Sequence, residues 1–482
     1  MFKIVSYLPE KYSDKTICVI GPGFSGASIL GTEKTRWKSG EFARPPKARG
    51  DNTSTYQYPT LEIGGYAFGS IPGFNPDQII ARGDSVSYPF GATHLYARLG
   101  LPQHDKLSSI ISYLERVPGG LLTPSGVSAS HLAVLFNLPK NGVILRSNPI
   151  YDCTRSAFET IYPNWNIQVH KADFTDLVKL EEAIIKTKPH KLYLETPANP
   201  TMAMIDLKGV YELAVKYNID EIIADNTFAS PIIQKPIEIV DGDPYKKIRI
   251  MHSGTKHFTG GMDGVCWGYV SLKDWKEFLP MFLFQKDMGF NMSGLDAEAV
   301  LQHGIPTLHL RVKDQSANAL KVAQFLSTHP LIKKVNYPGL PPFKEMADKQ
   351  FTGNGYGSTI YFEIDPEKLK AEIGGNDQTI IKDGERFGDI LGLQSFICLA
   401  VSLGKMNTLI ENSWFMVHRF MNEEEKIKSG ISPFGWRLSV GSEDVNDTIK
   451  ELTTIFDLLK NRNFQAKIDD MKHMIGKPKG LN

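Results

Sequence analysis

The segment MHSGTKHFTGG places a single lysine, Lys256, after two hydroxyl residues, Ser253 and Thr255, and before a glycine-rich turn. An amine delivered by a strand end can attack a carbonyl carbon, and hydroxyls beside it can donate to an anion. Upstream, the run EIIADNT ends in Asp225, a carboxylate suited to a cationic ring nitrogen. Alone, Asp225 reads equally as a helix cap. Earlier still, TPSGVSA puts Ser125, Gly126 and Val127 where a helical pattern begins, and the N–H groups and dipole of a helix start favour a phosphate. An amine for a covalent link, a carboxylate for a ring nitrogen and a phosphate anchor are together what pyridoxal phosphate requires.

These residues need a scaffold that brings them to one edge, and the surrounding pattern predicts it. KLYLET, EIIADNT and IRIMHSG are short apolar runs that end in polar residues, separated by helical patterns such as DLVKLEEAIIKT and LKGVYELAVKYN. Strands alternating with helices imply a mostly parallel sheet covered on both faces, with ligands outside the carboxyl ends of the strands. Asn199, Asp225 and Ser253 to Lys256 fall at those ends. NGVILRS reads as another buried strand, LSSIISYLERV as an amphipathic helix, and GGLLTPSG as a turn that opens a helix through SASHLAVLFNL. Beyond about residue 300, SANALKVAQFLSTH, STIYFEI and VNDTIKELTTIFDLLK predict a smaller α+β unit of helix, strand and helix. The expected division is an N-terminal arm at 1–100, a cofactor-binding α/β domain at 101–300 and a C-terminal α+β domain with a polar tail at 301–482.

Composition narrows the classes. The chain has 482 residues, 41% of them hydrophobic and 22% charged, which suits a multidomain globular protein and excludes fibrous or wholly disordered ones. With 54 basic against 53 acidic residues and no long basic run, nucleic acid is not the expected main partner. Cys18, Cys153, Cys266 and Cys398 lack metal-ligand spacing and read as free thiols of a reducing compartment. No targeting segment or membrane-length apolar run is present, so the expected location is the cytoplasm. A rival motif, ICVIGPGFSG, fits G-x-G-x-x-G through Gly21, Gly23 and Gly26 and would suit a nicotinamide oxidoreductase. The following ASILGTEKTRWKSGEFARPPKARG lacks the helix and second strand such a unit needs, which leaves a loop as the better reading.

Taken together, TSTY, LYAR, SGVSA, IYDCT, ETPANPT, DNTFASP, HSGTKHFTGGMDG, GIPTLHLRV, AVSLG and WRLSVGSED resemble the pyridoxal phosphate enzymes of cysteine and methionine metabolism, the cystathionine γ-synthase and methionine γ-lyase family. The resemblance runs from about Thr53 to Leu459. It implies a fold-type I, aminotransferase-like α/β architecture with a mostly parallel seven-stranded sheet, assembled as a homodimer or homotetramer with shared active sites. It makes Lys256 the lysine that binds pyridoxal 5'-phosphate covalently, Asp225 the partner of the ring nitrogen, and Tyr151 the residue that stacks on the ring and serves as an acid/base. Gly126, Val127, Ser253 and Thr255 fall on phosphate-binding positions, and Tyr96 and Arg98 match the pair that reaches the neighbouring subunit's phosphate. Asn199 matches the residue near the ring hydroxyl, Arg437 the arginine that grips the substrate carboxylate, and Ser402 a serine beside it.

Within the family, Cys153 and the run Lys286-Asp287-Met288 resemble methionine γ-lyases. Asn407 stands where many relatives carry a glutamate, which relaxes any demand for a second amino group on the substrate. If the turn after Tyr151 is strand-like, Cys153 faces the same side as Tyr151 and offers a thioether a polarizable neighbour. Departures include Asp152 for a glycine, Gly260-Gly261-Met262-Asp263 after the lysine, Leu101-Pro102-Gln103 after the arm motif, and an insertion near residues 74–93. The expected activity is γ-elimination on a sulfur amino acid such as methionine or homocysteine. The alternatives are γ-replacement, as in an O-acylhomoserine sulfhydrylase or cystathionine γ-synthase, and a family-derived binding protein without turnover.

Overall fold

A computed structural model describes Arg98 and residues 100–262, 264–374, 376, 380, 387–388, 390–391, 396–419 and 421–460. Tyr96, the glycine motif Gly21 to Gly26, the insertion at 74–93 and the C-terminal tail lie outside the described residues. The chain divides into two units. One takes the described residues up to Ser147, then Cys153–Thr196 and Ile205–Leu310; the other takes Asn148–Asp152, Pro197–Met204 and the described residues from Arg311 onward.

In the first unit the elements run α1 (Pro102–Glu115), β1 (Gly120–Thr123), α2 (Gly126–Leu135), β2 (Val143–Ser147), α3 (Asp152–Thr160), β3 (Gln168–Ala172), α4 (Leu177–Thr187), β4 (Lys191–Glu195), α5 (Leu207–Lys216), β5 (Glu221–Asp225), β6 (Ile248–Ser253) and β7 (Gly268–Ser271). The seven strands form one sheet in the order β1-β7-β6-β5-β4-β2-β3. β3, β2, β4, β5 and β6 pair in parallel, while β7 runs antiparallel to both β6 and β1. This is the mostly parallel seven-stranded sheet expected of the fold. Every residue of β4 is buried, as are the first four of β5 and the first five of β6, which explains why these segments read as continuous apolar runs. Side-chain caps start the helices: Ser125 accepts from Ser128 N–H, Asp176 from Val178 and Lys179, and Asp206 from Gly209. One element differs from the sequence reading. Residues 120–123 form β1, a fully buried strand, not part of a turn; its register against β7, Gly120 opposite Ser271 through Thr123 opposite Gly268, supplies the pairing that four residues of sequence cannot signal.

The second unit carries β8 (Ile332–Asn336), β9 (Thr359–Ile364), β10 (Cys398–Leu399), β11 (Leu409–Asn412) and β12 (Gly435–Ser439), in the order β10-β11-β12-β9-β8. Its core sets Ile360, Phe362, Trp436 and Leu438 of the sheet against Val322 and Leu326 of α6 (Leu308–Thr328) and Leu452, Ile455 and Phe456 of α7 (Val445–Lys460). Each such side chain contributes about 1.5–3 kcal/mol on burial. Among the described residues no helix is long and apolar enough to cross a membrane.

Candidate active site

β5 begins and ends with a carboxylate, and the two have opposite environments. Burial works against the charge of Glu221, but Arg249, Lys191 and Lys273 outweigh it and hold that carboxyl at about 2. Lys191 Nζ lies 2.5 Å from Glu221 Oε2, and Arg249 pairs with Oε1. Asp225, at the other end of the strand, has no cation in contact among the described residues. Burial pushes its carboxyl above the usual range, opposed by hydrogen bonds from the Thr227 side chain and from the Thr227 N–H at 3.0 Å, by His252 nearby and by the Tyr193 hydroxyl at 3.4 Å.

Beside it, β6 ends in Ser253, whose backbone N–H donates to the Thr227 hydroxyl at 2.8 Å. α2 begins against this strand end. A Cβ built on Gly126 would fall 2.5 Å from Ser253 Cβ and 2.6 Å from its Oγ, so only glycine lets the helix start approach the serine. By helix geometry the first N–H groups of α2, those of Gly126 and Val127, have no intrahelical acceptor, while the Ser128 N–H is taken by the Ser125 cap. Ser253 Oγ makes no hydrogen bond among the described residues. Thr255 is engaged: its hydroxyl accepts from Trp267 N–H at 3.1 Å and lies 3.4 Å from Trp267 O. The indole of Trp267 packs on Gly254 so closely that a Cβ there would fall 2.2 Å from the ring. Lys256, half-buried, follows at the mouth of a short 3₁₀ turn, its N–H bonded to Ser253 O at 3.2 Å. Behind these strand ends, fully buried Glu115 of α1 accepts from Asn226 Nδ2 at 2.9 Å and meets His252 Nε2 at 2.5 Å, tying together the residues that flank Asp225 and Ser253. Nothing in the sequence signals that network or the Tyr193 contact, because both depend on strand register.

The second unit gathers another group. Arg437 of β12 is buried, whereas from local sequence it reads as a surface arginine. Its Nη1 donates to Asn199 Oδ1 at 2.7 Å and its Nη2 to Ser402 O at 3.2 Å, and Glu411 Oε2 lies 3.1 Å from Nη2. Ser402 holds a φ of 101°, a region costly to a residue with a side chain by about 1–3 kcal/mol, with its carbonyl turned to the arginine. Asn407 is exposed, and its amide donates to Cys398 Sγ at 3.2 Å.

Tyr151 is 37% exposed just before α3. Cys153 is also exposed, but it is the second residue of that helix, so the strand-like turn expected there is absent and the two-residue alternation does not apply. Arg98 is exposed, and its carbonyl accepts from Asn291 Nδ2 at 2.8 Å.

A strand-end lysine, a buried carboxylate and a glycine-started helix on a mostly parallel seven-stranded sheet define a pyridoxal phosphate-dependent enzyme of the aminotransferase-like fold. The model of the Cys/Met metabolism PLP-dependent enzyme family matches residues 83–457, and the chain belongs to that family, with pyridoxal 5'-phosphate as its cofactor. It is 31% identical over 410 residues, 84% of this chain and 91% of the relative, to an L-methionine gamma-lyase of Porphyromonas gingivalis. It is 30% identical over 365 residues, 75% of this chain and 87% of the relative, to the cystathionine gamma-synthase of Escherichia coli. Among solved structures, cystathionine gamma-lyase from Lactobacillus plantarum, complexed with L-serine, superposes with a TM-score of 0.71 at 26% identity, covering 92% of this chain and 99% of that one. The residues fit the cofactor on their own terms. The Gly126–Ser253 approach leaves helix-start N–H groups and a hydroxyl together for a phosphate, and a protonated ring nitrogen would hold ionised the Asp225 carboxyl that burial pushes toward its neutral form.

Proposed function

We propose that this enzyme cleaves the Cγ–S bond of a sulfur amino acid such as methionine or homocysteine. Substrate and one water give a thiol, ammonia and 2-oxobutanoate. The observation that carries this reading is the 31% identity, over most of both chains, to an L-methionine gamma-lyase. The neutral Asn407 amide supports it, since no carboxylate stands at that position to attract a distal amino group.

When bound, pyridoxal phosphate supplies an electron sink for the pair left at Cα by a departing proton. In this reading Lys256 Nζ would hold the cofactor, and its free amine would take the proton from Cα and then one from Cβ. Asp225 holds the proton at the ring nitrogen, and the Tyr151 hydroxyl gives a proton to the sulfur as it leaves Cγ. Arg437 takes the substrate carboxylate with Ser402 beside it, and the Cys153→Gly comparison below tests whether the thiol serves the thioether. Gly126, Val127, Ser253 and Thr255 hold the phosphate, Asn199 serves the ring hydroxyl, and Tyr96 and Arg98 complete the neighbouring subunit's site in a cytoplasmic homodimer or homotetramer.

A second reading, γ-replacement on an activated homoserine, draws on the 30% identity to a cystathionine gamma-synthase. Both reactions share every step up to departure of the γ substituent and differ in whether water or an incoming thiol finishes the reaction. The deciding experiment incubates the enzyme with methionine, homocysteine, cystathionine, cysteine and O-acetylhomoserine and measures 2-oxobutanoate, ammonia and thiol. Methionine or homocysteine is expected to be cleaved in preference to cystathionine, with Cys153→Gly reducing methionine turnover more than that of O-acetylhomoserine. Turnover only of O-acetylhomoserine together with a thiol would make replacement the better reading.

A further inference from the structure

Arg437 meets oxygens of Asn199, Ser402 and Glu411 before any substrate arrives, and the last is ionic. β11 and β12 pair antiparallel with Glu411 directly opposite Arg437. The two side chains are 1% and 5% exposed, and Oε2 lies 3.1 Å from Nη2. Asn199 and the Ser402 carbonyl are neutral and help fix the direction of the guanidinium without adding charge. A buried arginine needs a counter-ion, and Glu411 supplies it from inside the fold.

We propose that Glu411 is a positioning and specificity residue that neutralises Arg437 in the free enzyme and thereby keeps the fork's hold on an amino-acid carboxylate loose. The inference rests on the reading that Arg437 takes the substrate carboxylate. An incoming carboxylate must share one guanidinium with Glu411, and two anions on one cation repel. Weak ground-state binding of this kind raises KM without slowing the chemical step. It also penalises substrates with a second carboxylate near the fork more than it penalises methionine.

The test compares the holoenzyme with its Glu411→Gln variant, which keeps the side chain's size and removes the charge. KM is measured with whichever amino acid of the panel is turned over. It is expected to fall about tenfold while kcat moves by less than about threefold. Melting temperature is measured without ligand and with saturating glycine, which carries the α-carboxylate but has no γ substituent to lose. The variant is expected to melt lower than wild type without glycine and to gain more on its addition. Glu411→Asp, which keeps the charge, should retain the wild-type KM more nearly than the isosteric glutamine does; a purely packing role would reverse that order and overturn the proposal, even if the glutamine variant folds poorly. An unchanged or raised KM in Glu411→Gln, with a glycine response equal to wild type, also overturns it. Arg437→Ala separates the two levels. If that variant leaves KM unchanged, the carboxylate assignment itself fails; if it raises KM while Glu411→Gln does not lower it, only the role of Glu411 fails.

Discussion

The cofactor cradle and the arginine cluster are built on opposite principles. In the cradle, Asp225, Ser253, Thr255 and Lys256 stand at the ends of two adjacent parallel strands, so that the chemistry appears in sequence as the last residues of consecutive apolar runs. In the second unit, Arg437 collects Glu411 across an antiparallel pair, Asn199 from a distant segment and the carbonyl of a strained Ser402. Parallel βα repeats write a site into local sequence, whereas antiparallel pairing assembles one from residues with no common local sign. The difference extends to electrostatics: burial pushes the Asp225 carboxyl toward its neutral form, while Arg437 lies against the Glu411 carboxylate.

If the cradle serves the cofactor and the arginine cluster the substrate, variants of the two should fail differently. Lys256→Ala should have the largest effect, a loss of turnover by more than ~1,000-fold together with the cofactor's visible absorption band, at a nearly wild-type melting temperature. Substantial residual turnover would remove Lys256 from the mechanism. Asp225→Ala is expected to cut kcat by ~1,000-fold and Asp225→Glu by less. The cofactor-free protein offers a second readout. Burial sets the folded carboxyl of Asp225 above its unfolded value, so its favourable contribution is present at low pH and is lost as pH rises through that folded value. At neutral pH the cofactor-free Asp225→Asn protein should therefore melt above wild type, and a lower melting point would refute the burial argument.

Arg437→Lys should keep the absorption band while lowering kcat/KM by ~100-fold, mostly through KM, because an ammonium cannot reproduce the planar fork. Loss of the band in this variant would erase the distinction between the two regions. Gly126→Ala should weaken cofactor binding about tenfold, with little effect on kcat at saturating cofactor, since the added methyl group meets Ser253. The smallest change is Ser125→Ala, expected to cost about 1 kcal/mol of stability through the lost cap; calorimetry would detect it, and a melting curve identical to wild type would show the cap to be dispensable.

KLYLE, EIIAD and IRIMHS were legible as strands because both faces are buried, and the helices with Asp176 and Asp206 caps because cap and periodicity agree. GGLLT was not, since four residues carry no period and its strand character comes from pairing with β7. Lys256 and Asp225 could be found from residue types at strand ends. Arg437 could be found only through resemblance, and Glu411 not at all, because burial and cross-strand register decide what those side chains meet. Cys153 shows the converse: two residues beyond Tyr151, it suggested a shared face until the helix starting at Asp152 set a different geometry.

The indole wedged against Gly254 gives this fold an optical property. Trp267 is fully buried and exchanges main-chain and hydroxyl hydrogen bonds with Thr255, the residue that precedes Lys256. Indole emission overlaps the absorption of pyridoxal phosphate, and energy transfer between donor and acceptor falls steeply with separation. If Lys256 holds the cofactor, the part of the emission that comes from Trp267, one of six tryptophans, should fall as the cofactor loads, and Trp267→Phe should remove that part of the change with no substrate present.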